Sequence, residues 1–231
     1  MCMKMQFRKF DISKLRCDHT VMVIGKRGTG KSFLAKDLLY HHRDLPIGTV
    51  ISRYESTQKF YGDIPDRFIH DAYAPGVIED FVNRQKVMMD RHDVDPRAFL
   101  VLDCMYDNSW TRDKIARLLF LSGRSLNVML VFMMQFPIDV PANIDFVFIF
   151  QDRIVSNRTR IYENFVRVFP TFDVFCQALD QCTDDYQCLV IDNNAETTSP
   201  HLQDHVFWYR AEHHDEFHIG AHEWSQECEM I

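Results

Sequence analysis

Short continuous apolar runs alternate along the chain with segments in which apolar residues recur every three or four positions. The runs are Val21–Ile24, Thr49–Ser52, Phe99–Leu102, Val128–Met134 and Phe146–Phe150, with Leu189–Ile191 as a sixth. They are too short for helices and mostly lack the polar alternate positions of a half-exposed strand, so they predict strands buried on both faces. Helical spacing appears between them. Phe33, Leu34 and Leu38 mark a helix from Ser32 to Tyr40, and Val77, Ile78, Phe81 and Val82 mark one ending near Asp90. Ile115, Leu118 and Leu119 mark a third, whose outer face carries Arg112, Lys114 and Arg117. Ile161 with Phe165, and the stretch from Phe172 to Leu179, predict two more.

Strands alternating with helices predict a three-layer α/β fold: a mainly parallel central sheet with helices on both faces and ligands at the carboxyl ends of its strands. Turn chemistry agrees. Leu45-Pro46-Ile47-Gly48 stops the first helix, and the segment from Pro137 to Pro141 breaks the chain after the fourth run. From Asn193 onward the sequence turns polar, apart from Val206-Phe207-Trp208-Tyr209. The expected organisation is one domain over 1–195 and a C-terminal extension over 196–231 that packs on it and adds an edge strand.

Composition changes this picture little. A chain of 231 residues that is 46% hydrophobic folds around one sizeable core. No apolar run reaches the roughly 20 residues of a membrane span, and the first residues lack a signal-peptide core. Seven cysteines without regular spacing fit a reducing compartment and packing roles, those at 176, 182 and 188 included. The net charge of −7 argues against a protein that coats nucleic acid along one basic face, but not against one that shows DNA only its inner loops.

Chemistry enters after the first strand, where Gly25-Lys26-Arg27-Gly28-Thr29-Gly30-Lys31-Ser32 matches G-x-x-x-x-G-K-[ST] in full. Strand before and helix after are the required context. Glycines let the loop curl so that backbone N–H groups face phosphate oxygens, and the following helix adds its positive end. Lys31 then supplies charge to the outer phosphates of ATP, and the Ser32 hydroxyl is placed to ligate Mg²⁺. Asp103, at the tip of the apolar run Phe99–Leu102, is the acid expected to hold the magnesium through its waters. Many translocating ATPases carry a second acid directly after it, whereas here the next residue is Cys104. Glu55 and Asp107 are the nearest candidates for the group that activates water. Gln135, closing the fourth run, is a candidate γ-phosphate sensor. Arg124, in the turn before that run, could reach a neighbouring subunit's nucleotide as an arginine finger, or be a solvated surface arginine.

Segments beyond the loop carry a family resemblance. They include Asp37-Leu38-Leu39-Tyr40-His41-His42, Ile47-Gly48-Thr49-Val50-Ile51-Ser52, Cys104-Met105-Tyr106-Asp107 and Gln135-Phe136-Pro137. Asn157 to Phe165, Phe169-Pro170-Thr171-Phe172 and Val206 to Ala211 follow in the same order. From Phe10 to about His222 the chain resembles the genome-packaging ATPases of nucleocytoplasmic large DNA viruses, poxvirus type, in the FtsK–HerA superfamily of P-loop NTPases. That resemblance implies a RecA/FtsK-like ATPase that drives double-stranded DNA into a preformed capsid. It implies a homo-oligomeric ring, a pentamer or hexamer, acting in the host cytoplasm at the assembly site and carried into the virion. A capsid vertex or membrane protein is the implied docking partner. Gly25 to Ser32 become the nucleotide loop, Asp103 the Walker B acid, and Gln135 the sensor, with Arg124 in the position of a family Gly-Arg pair.

The chain also departs from the pattern. Leu102-Asp103-Cys104 holds one acid where the family has two, and Arg53-Tyr54-Glu55 replaces a small residue and a threonine ahead of the glutamate. Turnover is therefore expected to be slow or to depend on ring assembly. Two other readings remain: a nucleotide-binding scaffold that barely hydrolyses ATP, and a P-loop kinase, against which no arginine-rich lid is evident. Six histidines after residue 200, with Cys228, match no zinc module and are expected to be solvated. Arg153, Arg158 and Arg160 are expected on a solvated face or against DNA.

Overall fold

The computed structural model describes residues 5–53, 60–62, 64–103, 113–137, 143–194 and 201–221. Nine strands among them form one sheet. They are β1 (Arg8–Lys9), β2 (Thr20–Ile24), β3 (Gly48–Ser52), β4 (Ile69–His70), β5 (Ala98–Asp103), β6 (Val128–Met134), β7 (Phe146–Ile149), β8 (Gln187–Asp192) and β9 (Val206–Arg210). Their order is β1-β9-β8-β7-β2-β6-β5-β3-β4. Every pairing is parallel except those of β8, which runs antiparallel to β7 and to β9.

The helices are α1 (Lys31–His41), α2 (Pro75–Met89), α3 (Lys114–Ser122), α4 (Val155–Phe165), α5 (Phe172–Cys182) and the short α6 (Leu202–His205). Alternate strand residues feed two cores. Met22, Ile24, Leu100, Phe132, Val147 and Leu189 face Ile78, Phe81, Leu119, Ile161, Phe175 and Leu179 of α2 to α5. Val21, Val23, Val101, Val131, Phe148 and Val190 face Leu34, Leu38 and Leu39 of α1, with Phe10, Tyr61 and Ile219 filling in around it. Both faces of the central strands are dry, which explains why these runs show no alternation. Among the described residues the layering is lopsided, with four long helices on one face and a single long helix plus irregular chain on the other.

All six apolar runs are strands, and all five expected helices are present. Val206–Arg210 is also a strand, but it lies one place in from the edge, because Arg8 and Lys9 pair outside it with Phe207 and Trp208. Strands β1 and β4 have two residues each, too few to carry a period.

Close packing shows at Gly48, which stands opposite Phe99 of β5. A Cβ there would lie 2.2 Å from two atoms of that buried ring. Gly48→Ala is expected to cost about 1–3 kcal/mol, the range for overpacking a tight core. Urea denaturation with an unchanged slope would report it, and wild-type stability would mean the ring can move aside.

One arginine expectation is corrected by the helix packing. Arg158 does not face solvent or DNA: its side chain is 11% exposed and ion-pairs Asp180, joining α4 to α5. Arg153 and Arg160 are exposed as expected. Cys182 and Cys188 are buried, and burial pushes the Cys182 thiol up to about 12. Both pack as small hydrophobes.

Candidate nucleotide-binding site

The loop from Gly25 to Gly30 emerges from the carboxyl end of the central strand β2, between β6 and β7. The sheet holds its entrance. The Gly25 N–H donates to the Met134 carbonyl at 3.1 Å, and the Phe150 N–H donates to the Ile24 carbonyl at 2.8 Å. Gly28 and Gly30 adopt φ of +78° and +104°, the left-handed region that side chains disfavour. These two turns bend the loop back over the start of α1, whose first N–H groups have no partner within the helix.

Lys31, the first residue of α1, is 4% exposed and donates from Nζ to the Lys26 carbonyl at 2.8 Å. Thr29 Oγ1 donates to the same carbonyl, also at 2.8 Å. The lysine is thereby folded into its own loop. Lys26 Nζ in turn lies 3.4 Å from Oδ1 of Asp152, a buried carboxylate just ahead of α4.

Asp103 closes β5, two strands away from β2, and is 4% exposed. Its Oδ2 accepts from Ser32 Oγ at 3.0 Å and from the Tyr61 hydroxyl at 3.1 Å. Its Oδ1 is buried, with no hydrogen-bond partner among the described residues. An unpaired carboxylate oxygen in a dry setting is costly unless a cation or its water reaches it. The donor set therefore fits a magnesium–nucleotide complex held by Ser32 and Asp103.

These groups open on a cleft of about 790 Å³ lined by Arg27, Gly28, Gly30, Lys31, Ser32 and Gln135. Its other wall is Phe33, Tyr186, Arg210, Ala211 and His213. Tyr186 is 65% exposed, sits at φ +60° in the turn before β8, and comes close to Gly30. The sequence did not mark Tyr61 or Tyr186, and it offered Phe33 only as a helix-core position, His213 only as a solvated histidine, and Arg210 and Ala211 only within the segment Val206 to Ala211. Nothing in the local spacing of the two tyrosines marks them.

The expected site residues are not all in one place. Lys31, Ser32, Asp103 and Gln135 meet at the carboxyl ends of the strands. Arg124 lies at the other end of the sheet, in a cavity of about 570 Å³ with Thr20 and Asn143 to Asp145. There it ion-pairs the buried carboxylate of Asp145, which also accepts the Thr20 N–H at 2.7 Å. Glu55, Asp107 and Cys104 lie outside the described residues.

A P-loop on the central strand, its serine paired with an acid two strands away, and a polar residue ending the strand between define a P-loop NTPase with the FtsK-type sheet. No family model matches the chain. It is 36% identical to protein 075L of Invertebrate iridescent virus 6, over 88% of this chain and 82% of that protein. It is 31% identical to an uncharacterized protein of Acanthamoeba polyphaga mimivirus, over 95% of this chain and 82% of that one. Among solved structures it is similar to the genome packaging NTPase B204 from Sulfolobus turreted icosahedral virus 2 in complex with AMPPCP. There the TM-score is 0.58 at 14% identity, covering 86% of this chain and 100% of that one. The pCW3 conjugation coupling protein TcpA with ATPγS gives 0.61 at 9% identity, covering 97% and 75%. The chain belongs to one family with the iridescent-virus and mimivirus proteins, relatives from nucleocytoplasmic large DNA viruses, and shares the fold of the packaging NTPase.

Proposed function

We propose that this chain is the ATP-hydrolysing subunit of a motor that moves double-stranded DNA into a preformed capsid. The observation that carries this reading is the placement of two elements at opposite ends of one sheet. The nucleotide cleft lies at the carboxyl ends and Arg124 at the amino ends. A chain carrying half of its catalytic apparatus on the far side from its own nucleotide suits a head-to-tail ring, in which each neighbour supplies the missing half. A pentamer or hexamer satisfies that geometry. The setting we propose for it is the host cytoplasm at the assembly site, with a capsid vertex or membrane protein as docking partner.

In this mechanism the loop N–H groups and Lys31 bind the phosphates, and Tyr186 with His213 flank the base. A bound Mg²⁺ supplies charge neutralisation between the phosphate oxygens. Ser32 Oγ and the carboxylate of Asp103, which now share a hydrogen bond, are the groups that would hold the hydrated ion. Gln135, at the mouth between Lys31 and Asp103, orients the attacking water. Arg124 of the neighbouring subunit leaves Asp145 to stabilise charge as it develops on the γ-phosphate.

One feature favours a second reading. Cys104 follows Asp103, so the β5 tip carries one carboxylate, and a subunit that binds ATP to assemble but barely hydrolyses it would show the same cleft. The rate of ATP hydrolysis, measured with and without double-stranded DNA across protein concentration and salt, separates the two. The motor requires a rate that climbs with concentration and with DNA, and DNA binding that weakens steeply with salt as phosphate contacts release counterions. A rate indifferent to DNA, with ATP still promoting assembly, would leave the scaffold.

A further inference from the structure

Beneath the second wall of the nucleotide cleft, residues 211–221 run as an irregular strap across α1. Asp37 of α1 meets this strap with its side chain fully buried. Its Oδ1 faces two imidazoles, His214 Nε2 at 2.5 Å and His41 Nε2 at 3.5 Å. All three ligand atoms lie within 4.8 Å of one another. We propose that Asp37, His41 and His214 form a structural zinc site, distinct from the nucleotide's magnesium, that rivets the C-terminal strap to α1.

The chemistry is that of zinc, a borderline cation that takes imidazole nitrogen and carboxylate oxygen in a tetrahedral shell. Ligand atoms on such a shell stand about 3.3 Å apart, given metal–ligand bonds of about 2.0–2.1 Å. The His41 spacing already matches, and the His214 ring needs to withdraw by less than about 1 Å. A small cavity of about 150 Å³, lined by Lys36, Asp37, Glu212 and His214 among others, leaves room for water as the fourth ligand.

The surroundings are those of a built site. Oδ2 of Asp37, the oxygen turned away from the histidines, accepts the Tyr209 hydroxyl at 2.7 Å and the Glu212 N–H at 3.3 Å. Such outer partners fix a ligating carboxylate in orientation. Tyr40 stacks on the His214 ring at 3.6 Å with an interplanar angle of 7°, which fixes the imidazole too. The ligands come from α1 and from a strap more than 170 positions later in the chain, so binding ties together segments that no hydrogen-bonded ladder joins. Arg210, Ala211 and His213, in or beside that strap, line the nucleotide cleft, so the metal would hold this wall in place.

The test uses the full chain, stripped with a chelator and titrated with Zn²⁺ against a chromophoric competitor, and with Co²⁺ followed by visible absorption. One Zn²⁺ per chain and the intense bands of tetrahedral Co²⁺ are expected. His214→Ala and His41→Gln should weaken zinc binding at least ~100-fold, and Tyr209→Phe, which keeps the ring and removes only the outer hydrogen bond, about 10-fold. His201→Ala, remote from the cluster, should change nothing. A wild-type chain without the cobalt bands, or an affinity unmoved by His214→Ala and Tyr209→Phe, would establish the cluster as a plain Asp–His ion pair. The cobalt spectrum of the wild type decides even if a variant fails to fold. No readout involves nucleotide, so failure here is separate from failure of the motor reading.

Discussion

Lys31→Ala is expected to lower ATP hydrolysis at least ~100-fold, the order seen when one preorganised electrostatic contact to a transition state is removed. The ammonium group is held by its own loop carbonyl at 2.8 Å and faces the cleft that also holds Ser32 and Gln135. Its charge is thus in place before nucleotide arrives, and little reorganisation is needed during the reaction. Losing that internal hydrogen bond costs the fold only about 0.5–1.5 kcal/mol, so thermal denaturation should show a folded variant. Steady-state rates on the two proteins, at saturating and subsaturating ATP, check the expectation. If the variant were folded and as active as wild type, hydrolysis would have to occur outside this loop.

The nucleotide end of the molecule was readable because its elements are local. A run of buried residues, a glycine-rich turn and an amphipathic helix lie within about 20 positions, and each has its own period or composition. Asp103 was found for a similar reason: the polar residue ending an apolar strand must sit at a sheet edge where ligands bind. Glycine at 28 and 30 is required by φ values that the motif anticipates.

What escaped was fixed by distance along the chain. Tyr61 reaches Asp103 across 42 positions, and nothing in its own neighbourhood announces a hydrogen bond to a buried acid. The expectation that the late histidines are solvated fails at His214, whose side chain is only 13% exposed. Its partner is Asp37, and the spacing of Asp37 and His41 at i, i+4 was the one local sign that α1 offered a face for it. Arg158 was misjudged in the same way, because Asp180 lies on the next helix. The β1 strand escaped since two residues cannot display a period, and its presence moves β9 in from the edge.

The largest remaining effect concerns Arg124, whose removal is expected to cost about 10³-fold in hydrolysis if it acts across a subunit boundary. Loss of rate in Arg124→Ala alone is weak support, because Asp145 would lose its ion-pair partner and its hold on the start of β2 at Thr20 would loosen with it. Mixing resolves the ambiguity. A ring of Lys31→Ala chains has intact arginines and defective loops, and a ring of Arg124→Ala chains has the reverse. In an equal mixture about a quarter of the interfaces pair an intact loop with an intact arginine, given random assembly of a head-to-tail ring. Hydrolysis should therefore reappear on mixing two nearly inactive proteins, rising with time as subunits exchange. A misfolded variant cannot yield this recovery, and neither can an arginine that serves only its own chain. If the mixture stays as inactive as its components while light scattering shows exchange, Arg124 is a structural partner of Asp145, and the finger must be sought on another face.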